Sequence, residues 1–222
     1  MPDRQPDPVE EGRFPGYDVL RKRSSMSWND RTREVVDRRL AVERGPRTLS
    51  ADAFRCLEAV CAQIVPQNQG PSFAPLAAYV DEGLTLGLGP GYRNAELPEA
   101  PEAWAKALAA LDATAQREHD AVFAALDDAQ QKSLLQRMQK GELSGPEWTD
   151  VPPKLFFSQH VLTDIVAAWA AHPSAWSRIG FGGPASPRGY VRMGFGMRDS
   201  WEAAEAHPGQ EAKAARENRR VR

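Results

Sequence analysis

The sequence predicts an all-α fold, a single irregular helical bundle of about five to seven helices with an extended N-terminal arm and a long Gly/Pro-rich C-terminal segment. Two observations support this class. Several segments carry apolar residues at helical spacing, and no segment shows the alternating pattern of a β-strand. A third concerns the irregular parts. The mean hydropathy is −0.54 and the chain holds 17 Gly and 18 Pro, so we expect a core of roughly 130–150 of the 222 residues.

The predicted organisation has three parts. Residues 1–47 form an N-terminal arm with a short polar helix over 29–43. Residues 48–175 form the helical core domain. Residues 176–222 form a Gly/Pro-rich partner-docking loop and a charged C-terminal tail.

The first core helix has a clear start signal. Ser50 is a suitable N-cap, and Leu49 and Phe54 occupy the two positions of a hydrophobic staple. Pro66 ends the helix. Two further amphipathic helices are predicted over residues 73–86 and 101–119.

Two more core helices follow. Asp127 and Gln130 stand in capping-box register, and Gly141 is a typical C-terminal signal. The last core helix is predicted over residues 154–171. We expect its apolar residues at the centre of the bundle; they are Phe156, Phe157, Val161, Leu162, Ile165, Val166 and Trp169.

The C-terminal segment has a different character. Residues 179–190 are rich in Gly and Pro, with aromatic side chains between them, which is typical of a functional or partner-bound loop. A charged helix is predicted over residues 200–218. The basic tail from Arg216 onward is either solvated or in contact with an acidic partner or lipid headgroups.

The charge balance and hydropathy exclude several classes of partner. With 28 basic and 30 acidic residues, the net charge of −2 gives no general attraction for nucleic acid. No apolar run approaches the roughly 18–20 residues needed to span a bilayer. The first residues lack a signal-peptide pattern, and the Arg38-Arg39 pair is not followed by a hydrophobic region. We therefore expect a cytoplasmic chain, or a periplasmic one if a signal-bearing partner carries it out.

No motif for catalysis, cofactor binding or metal ligation is found in the sequence. The four histidines are scattered, and the nucleophile-elbow and dinucleotide-binding motifs are missing. Helical spacing turns Cys56 and Cys61 about 140° apart, which does not suit a disulfide, so both are expected to be buried apolar residues. We expect no catalytic, cofactor-binding or metal-binding residue in this chain.

Three blocks of sequence occur in a recognisable order. They are residues 54–66 (FRCLEAVCAQIVP), residues 108–112 (LAALD) with 123–131 (FAALDDAQQ), and Phe156-Phe157 with the later Gly182-Gly183. In order and spacing they resemble the gluconate 2-dehydrogenase subunit 3 family over about residues 48–195.

The resemblance implies a non-catalytic small subunit. Such a subunit binds and stabilises a large FAD-dependent (GMC-type) sugar, sugar-acid or alcohol dehydrogenase subunit, and a cytochrome subunit can belong to the same complex. FAD is then expected in the partner and no cofactor in this chain. The chain would be an accessory subunit of an oxidoreductase complex.

Aromatic and arginine side chains in the irregular segments are the predicted partner contacts, because such residues dominate interface energetics. They are Phe14, Tyr17, Trp28, Trp176, Phe181, Arg188 and Tyr190. One alternative is that the late loop packs on the chain's own core. Two alternatives concern function: a free-standing helical binding or scaffold module, and an enzyme with a site around His160, His172 and Arg188.

Overall fold

A computed structural model describes residues 12–66, 73–89, 91, 94–191, 194 and 197–220. Over these residues the fold is all-α, with nine α-helices and no β-strand, which confirms the predicted class. The count exceeds five to seven because a π-helical turn divides the last predicted core helix and an unpredicted short helix, Pro173–Ile179, follows it. The chain falls into two compact units. The terminal unit contains residues 1–41, 68–74 and 170–222, and the central unit contains residues 42–67 and 75–169. The predicted domain boundaries at residues 47 and 175 stay predictions.

The α-helices are α1 (Asp30–Leu40), α2 (Ala51–Ile64), α3 (Leu76–Thr85), α4 (Ala100–His119), α5 (Asp128–Lys140), α6 (Pro153–Phe156), α7 (Leu162–Ala171), α8 (Pro173–Ile179) and α9 (Glu211–Asn218). Three 3₁₀ helices cover Val19–Ser24, Phe123–Ala125 and Pro146–Trp148.

The predicted capping signals are confirmed in the central unit. The Ser50 side chain accepts a hydrogen bond from the Ala53 N–H at the start of α2. Asp127 and Gln130 form the complete capping box of α5, and Gly141 ends that helix with a left-handed φ of 78°. These signals act over three or four residues, so the local sequence is enough to specify them.

The core of the central unit forms around α2, which packs against α3, α4 and α5. Fully buried side chains on these helices include Leu57, Trp104, Leu111 and Leu134. The buried carboxylate of Asp81 on α3 accepts the backbone N–H groups of three successive residues; they are Arg47, Thr48 and Leu49. Asp81 therefore ties the segment before α2 to α3.

The predicted helix over residues 154–171 is confirmed in extent, because the backbone is helical from Pro153 to Ala171. It is not α-helical throughout, since it widens into a π-helical turn at Phe157–Val161 between α6 and α7. The expected burial is wrong in part, because Leu162 is 39% and Val166 45% exposed. A helix that is apolar all round is normally buried on every side. Here only the side that carries Val161 and Ile165 faces the unit's own core.

The terminal unit joins the N-terminal segment to the C-terminal one. Its core consists of Tyr17, Val19, Trp28, Val36, Trp176, Trp201 and Ala203. The predicted helix over residues 200–218 is wrong in its first half, since α9 begins only at Glu211. Trp201 and the two alanines that follow Glu202 are instead buried in irregular backbone.

Candidate partner interface

The Gly/Pro-rich loop is held by the chain's own N-terminal segment. The indole Nε1 of Trp28 donates to the carbonyl oxygen of Pro184 at 2.8 Å. The Ser186 N–H donates to the Ser27 carbonyl, and the Ser186 carbonyl accepts from the Asn29 N–H, each at 2.8 Å. The internal packing considered as an alternative for this loop is therefore observed.

A buried lysine lies between the two segments. Lys22 is 0% exposed, and its Nζ donates to the carbonyl oxygens of Gly182 and, at 3.2 Å, Pro184. It also lies 5.4 Å from the ring centroid of Trp201. Burial lowers the pKa of Lys22 to about 8, and the neighbouring carboxylate of Glu202 opposes part of that effect.

Steric crowding explains why the loop has glycine at two adjacent positions, Gly182 and Gly183. A Cβ on Gly182 would come within 2.9 Å of the Tyr190 hydroxyl. Gly183 has a φ of +68°, and a Cβ there would lie 3.0 Å from Val19. Gly183 therefore permits the close approach of the loop to the N-terminal segment, and Gly182 permits the approach of Tyr190 within the loop.

The seven predicted partner-binding residues all lie in the terminal unit but differ in exposure. Tyr17, Trp28 and Trp176 are buried, Phe14 is half-buried, and Phe181, Arg188 and Tyr190 are exposed. The guanidinium carbon of Arg188 stacks 3.9 Å from the Trp201 ring centroid. The buried three are part of the unit's core, so a partner can reach only the other four in this conformation. Their role in partner binding stays a prediction.

Sequence reasoning missed a second exposed surface, on α7. Leu162, Thr163, Val166 and Ala167 are all exposed and lie on one side of the helix, at positions i, i+1, i+4 and i+5. We call these four residues the α7 face. It carries no charged side chain, and α7 has Asp164 as its single charged residue. The signal was present in the sequence, because a helix apolar all round requires burial on more than one side.

The side chain of Asp164 is not part of the α7 face, because it contacts Trp104 and His160 beside the π-helical turn. Its Oδ2 accepts from the indole Nε1 of buried Trp104 at 2.9 Å and lies 3.0 Å from Nδ1 of His160. The His160 ring also lies 5.3 Å from Phe156. The carboxylate thus satisfies the tryptophan N–H and orients the histidine. His160 therefore has its own structural partners.

The other residues of the alternative enzyme site also have structural roles. Buried His172 is the N-cap of α8, where its Nδ1 accepts from the Ser174 N–H at 3.2 Å. Arg188 is engaged with Trp201, as described above. Among the residues with described positions, no cluster of three or more His, Cys, Asp or Glu side chains could hold a metal ion.

The two cysteines are free and buried, as expected from their spacing. Burial raises the pKa of both thiols above the ordinary value. Within the described part of the chain, no helix has both the length and the hydrophobicity needed to cross a bilayer.

Comparison with known proteins gives one family. Residues 51–183 match the model of gluconate 2-dehydrogenase subunit 3, which covers most of the central unit and extends to Gly183. No curated protein and no solved structure matches the chain. The matched region includes the three motif blocks that suggested the resemblance. The chain therefore belongs to the gluconate 2-dehydrogenase subunit 3 family.

Proposed function

We propose that this chain is a non-catalytic small subunit that binds and stabilises a large FAD-dependent (GMC-type) sugar, sugar-acid or alcohol dehydrogenase subunit. Membership of the family supports the coarser role, that of an accessory subunit of a dehydrogenase complex. In this proposal FAD is bound by the large subunit, and a cytochrome subunit can complete the complex. The chain works in the cytoplasm, or in the periplasm when the partner carries it there.

The α7 face is the observation that carries the proposal. Leu162 and Val166 leave 39% and 45% of their surface in water on a helix whose residues are mostly apolar. Covering the exposed part of each side chain is worth roughly 1 kcal/mol. An uncharged helix face also has little polar desolvation cost on association. These properties are typical of the centre of an interface rather than of its rim.

The exposed aromatic side chains of the terminal unit offer further contacts. Phe181 is 45% and Tyr190 39% exposed, and each is held against a tryptophan of the unit core. A side chain fixed in this way loses little conformational entropy on binding. Phe181 and Tyr190 are therefore suited to act as anchors for the large subunit.

Introducing a charge into the α7 face tests the proposal. Val166→Glu would bury a carboxylate in the interface of the complex. In the free chain the new side chain stays in water, and glutamate is compatible with a helix. The matched control is Val122→Glu, the same substitution at a valine that is 49% exposed and precedes the short helix Phe123–Ala125.

The chain is co-expressed with the large flavoprotein subunit and purified through a tag on the chain. We expect the wild type and Val122→Glu to retain the flavoprotein in a stoichiometric complex, measured by flavin absorbance and native mass spectrometry. Val166→Glu should lose at least about 90% of it, a change of more than 1.4 kcal/mol. Equal retention of the flavoprotein by the wild type and both variants would show that α7 does not lie in the interface. A wild-type chain that retains no flavoprotein would refute the proposed function.

A second candidate function is that of a free-standing binding module. A cleft of about 270 Å³ in the central unit favours it, with an apolar floor and a polar rim; its lining residues are Gln63, Ile64, Lys132, Leu135, Gln136, Gln139 and Phe157. Saturable binding of a small molecule that is abolished by Leu135→Trp, in a chain that forms no flavoprotein complex, would support this function instead.

A further inference from the structure

The two units of the chain carry opposite net charges. The terminal unit contains eighteen basic and thirteen acidic residues, whereas the central unit contains ten basic and seventeen acidic residues. The near-neutral total therefore hides a net charge of +5 on one unit and −7 on the other. A unit with a net charge of this size attracts a surface of opposite charge.

Most of the terminal unit's carboxylates that have described positions are engaged within the unit. Five of them form ion pairs with arginines; the pairs are Arg13–Glu205, Arg23–Asp37, Arg31–Glu34, Arg33–Asp30 and Arg198–Glu217. Buried Asp199 and Glu202 accept backbone N–H groups from Val191 and Asp199. The excess positive charge thus falls on the basic side chains that these carboxylates do not reach.

Helix α9 and its C-terminal end collect four of those basic side chains. Lys213, Arg216 and Arg220 are spaced i, i+3 and i+7 and are exposed, so they form one basic stripe, and exposed Arg219 lies beside it against Gly16. We call Lys213, Arg216 and Arg220 the α9 stripe. Among the residues with described positions, no carboxylate forms an ion pair with any of the three.

The stripe stands on a fixed support. The Asn218 side chain is fully buried, accepts the Ala204 N–H at 2.7 Å and donates to the Pro15 carbonyl at 2.9 Å. Ala214 is buried on the same side of the helix. The charges are therefore presented by a docked helix and not by a free tail.

A groove of about 350 Å³ runs beside α9 within the same unit. Its lining combines apolar and polar side chains; they are Phe14, Ala203, Ala204 and Ala214, and Arg198, Glu205, His207, Gln210, Lys213 and Glu217. The two glutamates are already paired, Glu205 with Arg13 and Glu217 with Arg198. A groove of this mixed character beside a basic stripe suits a protein segment that carries carboxylates beside apolar groups.

Stabilisation of the helix dipole does not account for the stripe. Basic residues near a helix C-terminus are favourable, which explains Arg216 and Arg220 in part. Lys213, however, lies in the first turn of α9, where a cation is unfavourable. Lys213 lines the groove instead.

From this charge distribution we infer that the α9 stripe and the adjoining groove bind an acidic segment of the large dehydrogenase subunit. This inference rests on the proposed function and names the chemistry of one contact surface. Two features favour a protein over a lipid surface. Sixteen of the eighteen basic residues of the unit are arginines, whose planar guanidinium pairs carboxylates in two-point contacts. Helix α9 also has no apolar residue larger than alanine to insert between lipids.

Charge reversal of the stripe tests the inference. The variant carries Lys213→Glu, Arg216→Glu and Arg220→Glu. A control with the same change in charge carries Arg55→Glu, Lys140→Glu and Lys154→Glu, at three exposed residues of the central unit. Association of each chain with the purified large flavoprotein subunit is measured at ionic strengths of about 50 and about 200 mM, where screening differs strongly.

We expect the wild type and the control each to associate faster at the lower ionic strength than at the higher one. The stripe variant should associate at least about tenfold more slowly at low salt and lose most of the salt dependence, because electrostatic steering acts mainly on the association rate. The single variant Lys213→Glu, which leaves the C-terminal end of α9 unchanged, should show a smaller decrease in the same direction. It serves as the readout if the triple variant does not fold.

Three results would overturn the inference. A stripe variant with wild-type rates and salt dependence would show that the acidic segment does not exist. Co-sedimentation of the free chain with phosphatidylserine-containing vesicles, lost in the stripe variant while its association rate stays normal, would assign the stripe to a membrane. A wild-type chain that forms no complex at all would refute both the inference and the proposed function, whereas a complex with an unaffected stripe variant leaves the proposed function standing.

Discussion

Replacement of Lys22 by methionine should change the stability of the chain in a strongly pH-dependent way. Methionine keeps the length of the apolar stem but removes both the charge and the N–H donors. The fold holds the Lys22 ammonium away from water, which lowers its pKa from 10.5 to about 8. This difference corresponds to about 3 kcal/mol that opposes folding while the side chain is protonated in both states.

The sign follows from proton counting. Between pH 8 and 10.5 the unfolded chain keeps the Lys22 proton and the folded chain has released it. Unfolding then takes up a proton, so the contribution of this residue to stability rises with pH. A neutral amine still has two N–H groups for the two carbonyl acceptors, Gly182 and Pro184. The hydrogen bonds can therefore survive deprotonation.

Lys22→Met removes both the cost of burying the charge and the hydrogen bonds to the two carbonyl groups. It leaves two carbonyl groups without their donor, at a cost of about 1–3 kcal/mol each, and at pH 7 it recovers the roughly 3 kcal/mol of charge burial. We expect the variant to be within about 3 kcal/mol of the wild type at pH 7. From pH 7 to pH 10.5 it should lose about a further 3 kcal/mol relative to the wild type.

Urea unfolding followed by tryptophan fluorescence measures both values. The raised pKa of Tyr17 and of the two cysteine thiols affects the variant and the wild type equally, so their contributions cancel in the difference. Lys140→Met, the same substitution at an exposed lysine, is the matched control. A Lys22→Met difference that is constant from pH 7 to 10.5 would refute the reasoning, since the ammonium would then be solvated in the fold.

Two further predictions concern the central unit. Asp81→Ala should lower its free energy of unfolding by about 3 kcal/mol, because three backbone N–H groups lose one buried acceptor; hydrogen exchange of residues 47–49 should show the loss, and unchanged protection there would contradict it. Asp127→Ala should cost about 1 kcal/mol by removing the α5 capping box, whereas the neighbouring Asp128→Ala should cost clearly less; equal losses in urea denaturation would mean that the cap is not the cause.

The features that the sequence predicted well are those with short-range causes. The Ser50 cap and the Asp127–Gln130 box each involve groups within three residues, so no knowledge of the tertiary fold is needed. The start and end of α4 follow equally from local periodicity. The family motifs were recognisable because their order is a property of the sequence itself.

The features that were missed depend on contacts between distant residues. Lys22 is almost the last residue type expected in a core, and its burial requires two carbonyl groups that lie 160 and 162 residues away. The sequence indicated that α7 needs burial on more than one side, but it could not indicate that Leu162 and Val166 lie on the side that the unit leaves exposed. The irregular backbone at Trp201 likewise depends on the N-terminal segment, where Tyr17 donates to the Trp201 carbonyl.

The burial of both cysteines makes this chain unusually convenient for chemical mapping. A thiol that is buried and has a raised pKa reacts slowly with alkylating reagents, because the thiolate is the reactive form. A new cysteine placed on the α7 face, such as Val166→Cys, would therefore be the thiol that is labelled in the folded chain without removing Cys56 or Cys61. A photocrosslinker attached there would identify the protein that covers α7 in the assembled complex. A spin label at the same position would report its distance.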